Sequence, residues 1–432
     1  MRPRPESPRP ESPRPESPRP ESSRPEVSAH PELIRRMRRF ENTIFDEMTE
    51  LATRHGAISL GQGFPDDSGP AEVLDAAVAA IGRGDNQYAP GRGLPSLREA
   101  IAEHQRSWYG LDLDPDTEVM VSAGATEAMT AAILALVEPG DEVIAFEPTY
   151  DCYDGAVTMA NGVLRPVRLS APEYRFDAAR LRAAITERTR FLILNSPHNP
   201  TGHVFDDQEL AELADVVIEH DLFVLTDEVY EHLVFDGHTH TPLSTLPGMA
   251  DRTLTISSAG KTFSVTGWKI GWLTGPADVI TAVGRTKQNM TFTNGTPFQH
   301  GVAAGLALPH ERIEAIGHTF QERRDLLVDG LTSLGFDVHP AQGTYFVTAD
   351  IGGVLDDAGR SEWDGMEFCR RLPELVGVGA IPAQVFYADP DDPADPRVRH
   401  LVRFTCSKSA RTITTGLERL AGLRDAIRRS TT

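Results

Sequence analysis

Cysteine is scarce: only Cys152, Cys369 and Cys406 occur in 432 residues, far apart and with no C-x-x-C pair. An odd, dispersed set supports neither a disulfide framework nor a zinc site, and a reducing cytoplasm is the expected home. Long apolar runs are also missing. No stretch is long enough to span a bilayer and the N-terminus lacks the apolar core of a signal peptide, so no membrane association is expected. Positive charge is short outside the N-terminus. Residues 1 to 39 hold ten Arg and six Glu, a net of +4 against −21 for the whole chain, which leaves −25 on the remainder. A body so acidic argues against nucleic acid as a partner.

What is present divides in two. The first thirty residues repeat Arg-Pro-Glu-Ser-Pro, and residues 1–34 are expected to form a disordered tail with polyproline II character, because proline removes backbone donors and little else there can pack. Such a tail reads either as an SH3-type ligand or as a dispensable extension. From Arg35 onward the pattern is globular, and 40% hydrophobic content suffices for a large core in two unequal lobes. "FENTIFDEMTELATRHG" has helical spacing, with Phe45, Met48, Leu51 and Ala52 on one face and Gly56 as the stop.

Alternating units follow. "EVMVSAGATEAMTAAILALVEPG" reads as strand, tight turn, apolar helix and stop, while "DEVIAFEPTY", "RFLILNSPHNPTG", "LFVLTDEVYEHL" and "TLTISSAGKTF" are short apolar runs broken where a strand should end. Continuous apolar strands separated by helical stretches predict an α/β fold with a mostly parallel sheet between helices. In that architecture ligands bind at the carboxyl ends of the strands. Thr126, Tyr150, Asn199, Asp227 and Lys261 each follow a different expected strand, so one site is predicted to gather all five.

Lys261 admits three chemistries. A nucleotide-binding P-loop needs a glycine five residues before Gly260, where the chain has Thr255. The S-x-x-K pattern of Ser258 to Lys261 lacks the S-D-N and K-T-G elements of a penicillin-binding hydrolase. A Schiff-base lysine needs an electron-sink cofactor, a carboxylate beside a ring nitrogen and donors for a phosphate, and candidates exist for each.

Nine motifs occur in order: "LGQGFPD", "NQYAPGRGLPSLREAI", "GATEA", "EPTYDCY", "NSPHNPTG", "TDEVYEHL", "SSAGKTFSVTGWKIGW", "VGAIP" and "HLVRF". As a set they resemble the class I, fold-type I aminotransferases that use pyridoxal 5′-phosphate (PLP). Within them the chain is most similar to the kynurenine aminotransferase and cysteine-conjugate β-lyase group and to the bacterial N-succinyldiaminopimelate and methionine aminotransferases. The resemblance implies the PLP-dependent transferase fold, with a large domain over 73–310 and a smaller α/β domain built from 35–72 and 311–432. It implies that Lys261 is joined to the cofactor and moves the substrate's Cα proton, that Asp227 holds the ring nitrogen protonated, and that Tyr230 and Asn199 meet the ring oxygen O3′. Tyr150 would stack on the ring. The phosphate would fall to the backbone N–H groups of Ala125 and Thr126 with Ser258 and Lys269, the last a lysine where many class I enzymes have arginine.

For substrate, the resemblance implies Arg403 on the α-carboxylate, with Gly61 and Asn199 nearby, and Phe45 and Phe292 around the side chain. Thr293 stands where kynurenine aminotransferase has a histidine. Tyr88 would reach the phosphate in the neighbouring subunit, making a homodimer with shared sites. The activity implied is transfer of an amino group from an amino acid to a 2-oxo acid, the donor neutral, aromatic or sulfur-containing, or N-succinyldiaminopimelate. A carbon–sulfur β-lyase and a PLP-binding regulator without turnover are the alternatives.

Overall fold

The structure, a computed structural model, describes residues 34–430 apart from 39, 41–42 and 393–394, and the proline-rich repeat lies outside them. Its centre is a seven-stranded sheet in the order Val119–Ser122, Gly271–Thr274, Thr253–Ser258, Phe223–Asp227, Thr189–Asn195, Glu142–Glu147 and Val163–Arg168. Every neighbouring pair is parallel except the two that involve Gly271–Thr274. The Glu142–Glu147 and Thr253–Ser258 strands are buried along their whole length. That burial explains the unbroken apolar run Val143–Phe146, since helices cover both sheet faces. Register then sets the site: Asn195 lies opposite Asp227, and Asp227 opposite Ile256, so the functional strand ends finish together.

The expected first helix forms over Ile44–His55. Thr43 caps it by accepting from Asp46 N–H, and Gly56 ends it at φ 57°, a left-handed conformation that glycine adopts without strain. Met48 and Ala52 are buried, with Phe45 and Leu51 partly so. Parallel pairing of Ile58–Ser59 with Val378–Gly379 then ties this segment to the C-terminal part of the chain.

A second sheet is antiparallel, in the order Ile381–Pro382, Leu401–Thr405, Phe346–Asp350 and Asp337–Val338. One apolar cluster gathers Met48 and Leu60 with residues from Leu327 to Ile427. Other clusters fill the two faces of the large sheet. Between them, Tyr230 and Leu233 pack against Phe320, Tyr345 and Phe346. Among the described residues no helix is long and apolar enough to cross a membrane.

Candidate active site

The chain has four lysines, Lys261, Lys269, Lys287 and Lys408. Two of them, Lys261 and Lys269, line one cavity of about 400 Å³ at the carboxyl ends of the parallel strands. Thr126, Tyr150, Asn199 and Asp227 line it too, so the five strand-end residues singled out in sequence do converge.

Lys261 sits in the short helix Ala259–Thr262, which Ser258 caps by accepting from Gly260 N–H. Its side chain is half-buried and borders the cavity, with Nζ 5.4 Å from the centre of the Tyr230 ring and 5.5 Å from that of Tyr345. The Tyr345 hydroxyl donates to the Lys261 carbonyl at 2.8 Å and so holds the backbone. Burial pushes the amine down from its ordinary 10.5 to about 8; the Asp227 carboxylate opposes this and the Arg403 and Lys269 charges add to it. A lysine so placed is partly unprotonated near neutral pH, as a nucleophile or base must be.

Asp227 ends the Phe223–Asp227 strand. Its Oδ2 accepts a 2.6 Å hydrogen bond from the Tyr153 hydroxyl, whereas its Oδ1 is buried with no partner among the described residues. Burial pushes the carboxyl up, and the hydrogen bond from Tyr153 and the charge of Lys261 pull it back. Residues 229–232 after Asp227 form turns rather than a helix. An unpartnered buried carboxylate oxygen costs about 1–3 kcal/mol, and a protonated ring nitrogen is the kind of donor that offsets it. The residues present therefore fit a pyridine-type cofactor.

At one end of the cavity the Gly124–Leu136 helix presents the N–H groups of its first turn, including Ala125 and Thr126. Gly124 has φ 77°, and a Cβ there would come within 3.2 Å of Lys269 Nζ. Glycine thus lets a cation approach a helix N-terminus, a combination that holds phosphate. Ser258 completes this end.

At the other end Arg403 is buried in the Leu401–Thr405 strand. It donates to Asn199 Oδ1 at 3.0 Å and to the Gly61 carbonyl at 3.2 Å, and its guanidinium lies 3.9 Å from the centre of the Phe346 ring. Its Nε is buried without a partner, and no ion pair reaches it among the described residues, so it is not an internal salt bridge. Burial pushes it down to about 10, against the pull of Tyr230, Tyr150 and Asp151. A buried cation without a counter-charge is stabilised by a carboxylate ligand. Gly61 has a further reason to be glycine: a Cβ would stand 2.8 Å from the Ala380 carbonyl carbon.

The sequence-derived site residues do not all meet here. Phe45 lines the cavity, but Phe292 and Tyr88 lie outside it, packed edge-on at 5.7 Å and exposed by 43% and 83%. Thr293, beside Phe292, is also outside. Two residues that sequence reasoning missed are Tyr153 and Phe346. Tyr153 follows Tyr150 by three positions, the spacing that puts two side chains on one helix face, so the motif "EPTYDCY" did carry its signal. Cys152 also lines the cavity, but burial pushes its thiol up to about 12, which leaves it protonated and inert.

Amine chemistry explains the pairing of a low-pKa lysine with a buried carboxylate, and the doubly covered sheet places both at the strand ends. Fold and cavity together define an enzyme that transfers amino groups. The family Aminotransferase class I and II matches residues 56–420. The chain belongs to that family and is an amino acid aminotransferase. It is similar to a probable N-succinyldiaminopimelate aminotransferase of Mycobacterium tuberculosis, 48% identical over 395 residues that cover 90% of this chain and 98% of the relative. It is also 38% identical to the methionine aminotransferase of Escherichia coli over 388 residues, covering 90% and 97%. The solved structure of N-succinyldiaminopimelate aminotransferase from M. tuberculosis matches with a TM-score of 0.86 and 49% identity, over 90% of this chain and 99% of that one.

Proposed function

We propose that the aminotransferase reaction uses PLP held in this cavity. When bound, PLP supplies an electrophilic carbon for the substrate amine and a sink for the electrons left when the Cα–H bond breaks. Lys261 Nζ takes the Cα proton and returns it at the other end of the transfer, as base and then acid. Asp227 Oδ1 would accept from a protonated ring nitrogen, and Tyr230 and Asn199 would meet the ring oxygen. Tyr150 would cover the ring, while Ala125, Thr126, Ser258 and Lys269 would hold the phosphate. Arg403, held by Asn199 and the Gly61 carbonyl, clamps the substrate α-carboxylate. The observation that carries this reading is the unpartnered Asp227 Oδ1 in the wall that also holds Lys261.

For the donor side chain the cavity offers Phe45, Phe64 and Phe346, which suits neutral, aromatic or sulfur-containing amino acids. N-succinyldiaminopimelate is the second reading, supported by the 48% identical relative. A single-turnover absorbance screen tests both, with methionine, aromatic amino acids and N-succinyldiaminopimelate mixed against the PLP form. Conversion of the bound cofactor to its amine form by at least one of them, with release of the oxo acid, is expected. Release of pyruvate, ammonium and a thiol from cysteine conjugates, with the cofactor left in its aldehyde form, would instead mark a carbon–sulfur β-lyase, and binding without conversion a regulator.

A homodimer with shared sites belongs to the same proposal. Tyr88 and Phe292 lie outside their own cavity, and Val78, Ile81 and Met290 add to the exposed apolar surface of the chain. A partner would cover such surface. The division into a large domain over 73–310 and a small one from 35–72 and 311–432 is supported by the cluster that joins Met48 and Leu60 to the C-terminal third. A cytoplasmic setting suits three free cysteines.

A further inference from the structure

Tyr230 lines the active-site cavity, but the next two residues, Glu231 and His232, line a separate one of about 430 Å³. His104, from the Pro95–Tyr109 helix, reaches the same point, with its Nε2 2.8 Å from His232 Nε2. One carboxylate oxygen of Glu231 and one nitrogen of each imidazole all lie within 4.8 Å of one another.

The charges around this point do not balance. Glu231 is buried and, among the described residues, accepts only from the hydroxyls of Tyr109, at 2.8 Å, and Ser257. Glu228, three residues earlier, is buried against His240 at 2.9 Å. No lysine or arginine pairs with either carboxylate among the described residues. Buried carboxylates persist when they are paired, hydrogen-bonded or bound to a metal.

The neighbouring amide agrees. Gln105 Oε1 is buried without a partner, while its Nε2 lies 3.3 Å from His104 Nδ1. Turning the amide over lets Oε1 accept from Nδ1–H, which satisfies the oxygen and leaves the lone pair of His104 on Nε2, directed at His232. That is the outer-shell arrangement that orients a metal-bound histidine.

We propose that His104, His232 and Glu231 form a binding site for a divalent transition metal of the zinc class, with a remaining position open to water from the adjoining cavity. Two imidazoles and a carboxylate suit that ion class. Bonds of about 2.0–2.1 Å require the two nitrogens to part by about half an ångström, a small side-chain rotation. The ion joins the Pro95–Tyr109 helix to the turn that follows Asp227. Sequence spacing could not show it, because His104 and His232 are 128 positions apart.

The test uses PLP-loaded protein, treated with a chelator and then dialysed against zinc. One zinc per chain is expected, with His104→Gln and His232→Gln each weakening binding by at least about tenfold. His55→Gln, at the end of the Ile44–His55 helix, should bind as wild type does. Anomalous scattering from zinc-soaked wild-type crystals needs no variant and should place a peak within bonding distance of all three side chains. No bound zinc, or zinc only elsewhere with both variants unaltered, overturns the proposal and leaves His104 and His232 as a hydrogen-bonded pair.

Discussion

The Tyr153 hydroxyl donates a 2.6 Å hydrogen bond to Asp227 Oδ2 within the buried wall of the cavity, and so turns Oδ1 free of any other described partner. This bond both orients the carboxylate and holds its pKa down against burial. In Tyr153→Phe, Asp227 should therefore protonate at higher pH. A hydrogen bond to a charged group contributes about 1.5–3 kcal/mol, so kcat/KM should fall about tenfold or more, and the acid limb of its pH profile should move up. A lower rate with an unmoved acid limb would show that Tyr153 only packs.

Asp227→Ala removes the proposed ring-nitrogen partner and leaves Lys261 and the phosphate end intact. The variant should lose most of its activity while still retaining PLP on Lys261, measured by absorbance after gel filtration. An unchanged rate would mean that Asp227 has no part in the chemistry.

Lys261 gives a pH-dependent stability in cofactor-free protein. Its amine titrates at about 8 folded, against an ordinary 10.5. Between those values the unfolded chain binds more protons, so stability from this group rises with pH across the window. The cost of burying the amine is thus full below about pH 8 and gone near 10.5. Cofactor-free Lys261→Met should melt above wild type at pH 7, with the gap closing as pH rises through that window. A gap that stays constant with pH would contradict the burial argument.

Much of this site was legible because strand ends in a parallel sheet must converge, whatever the loops do. Lys261, Asp227, Asn199, Tyr150 and Thr126 needed only that rule and the positions of apolar runs. Tyr153 and Phe346 were hidden for different reasons. Tyr153 is one helical turn beyond a residue already chosen, and its role depends on a hydroxyl meeting Asp227, 74 positions away. Phe346 lies on an antiparallel sheet, and it reaches Arg403 only because its strand pairs with Leu401–Thr405. Tyr88 and Phe292 show the converse: motifs name them, yet the fold of the chain gives them no place in the cavity.

That placement yields a direct prediction. Tyr88→Ala and Lys261→Ala proteins, each first shown to be strongly impaired, should recover activity when their subunits exchange. In the proposed homodimer a mixed pair has one site with both residues intact, so random pairing gives about a quarter of wild-type activity. Exchange confirmed by mass with nothing restored would mean that Tyr88 does not serve a neighbouring site.

Lys261 is the proposed anchor of the cofactor, and with only four lysines in the chain the attachment point can be read out without ambiguity. Borohydride reduction of the PLP-loaded protein, followed by digestion and peptide mass spectrometry, fixes the pyridoxyl group to whichever lysine carries it. The label is expected on Lys261 alone, with Lys261→Ala protein unlabelled and inactive. A label on Lys269, Lys287 or Lys408, or multiple turnovers by Lys261→Ala protein, would contradict the account.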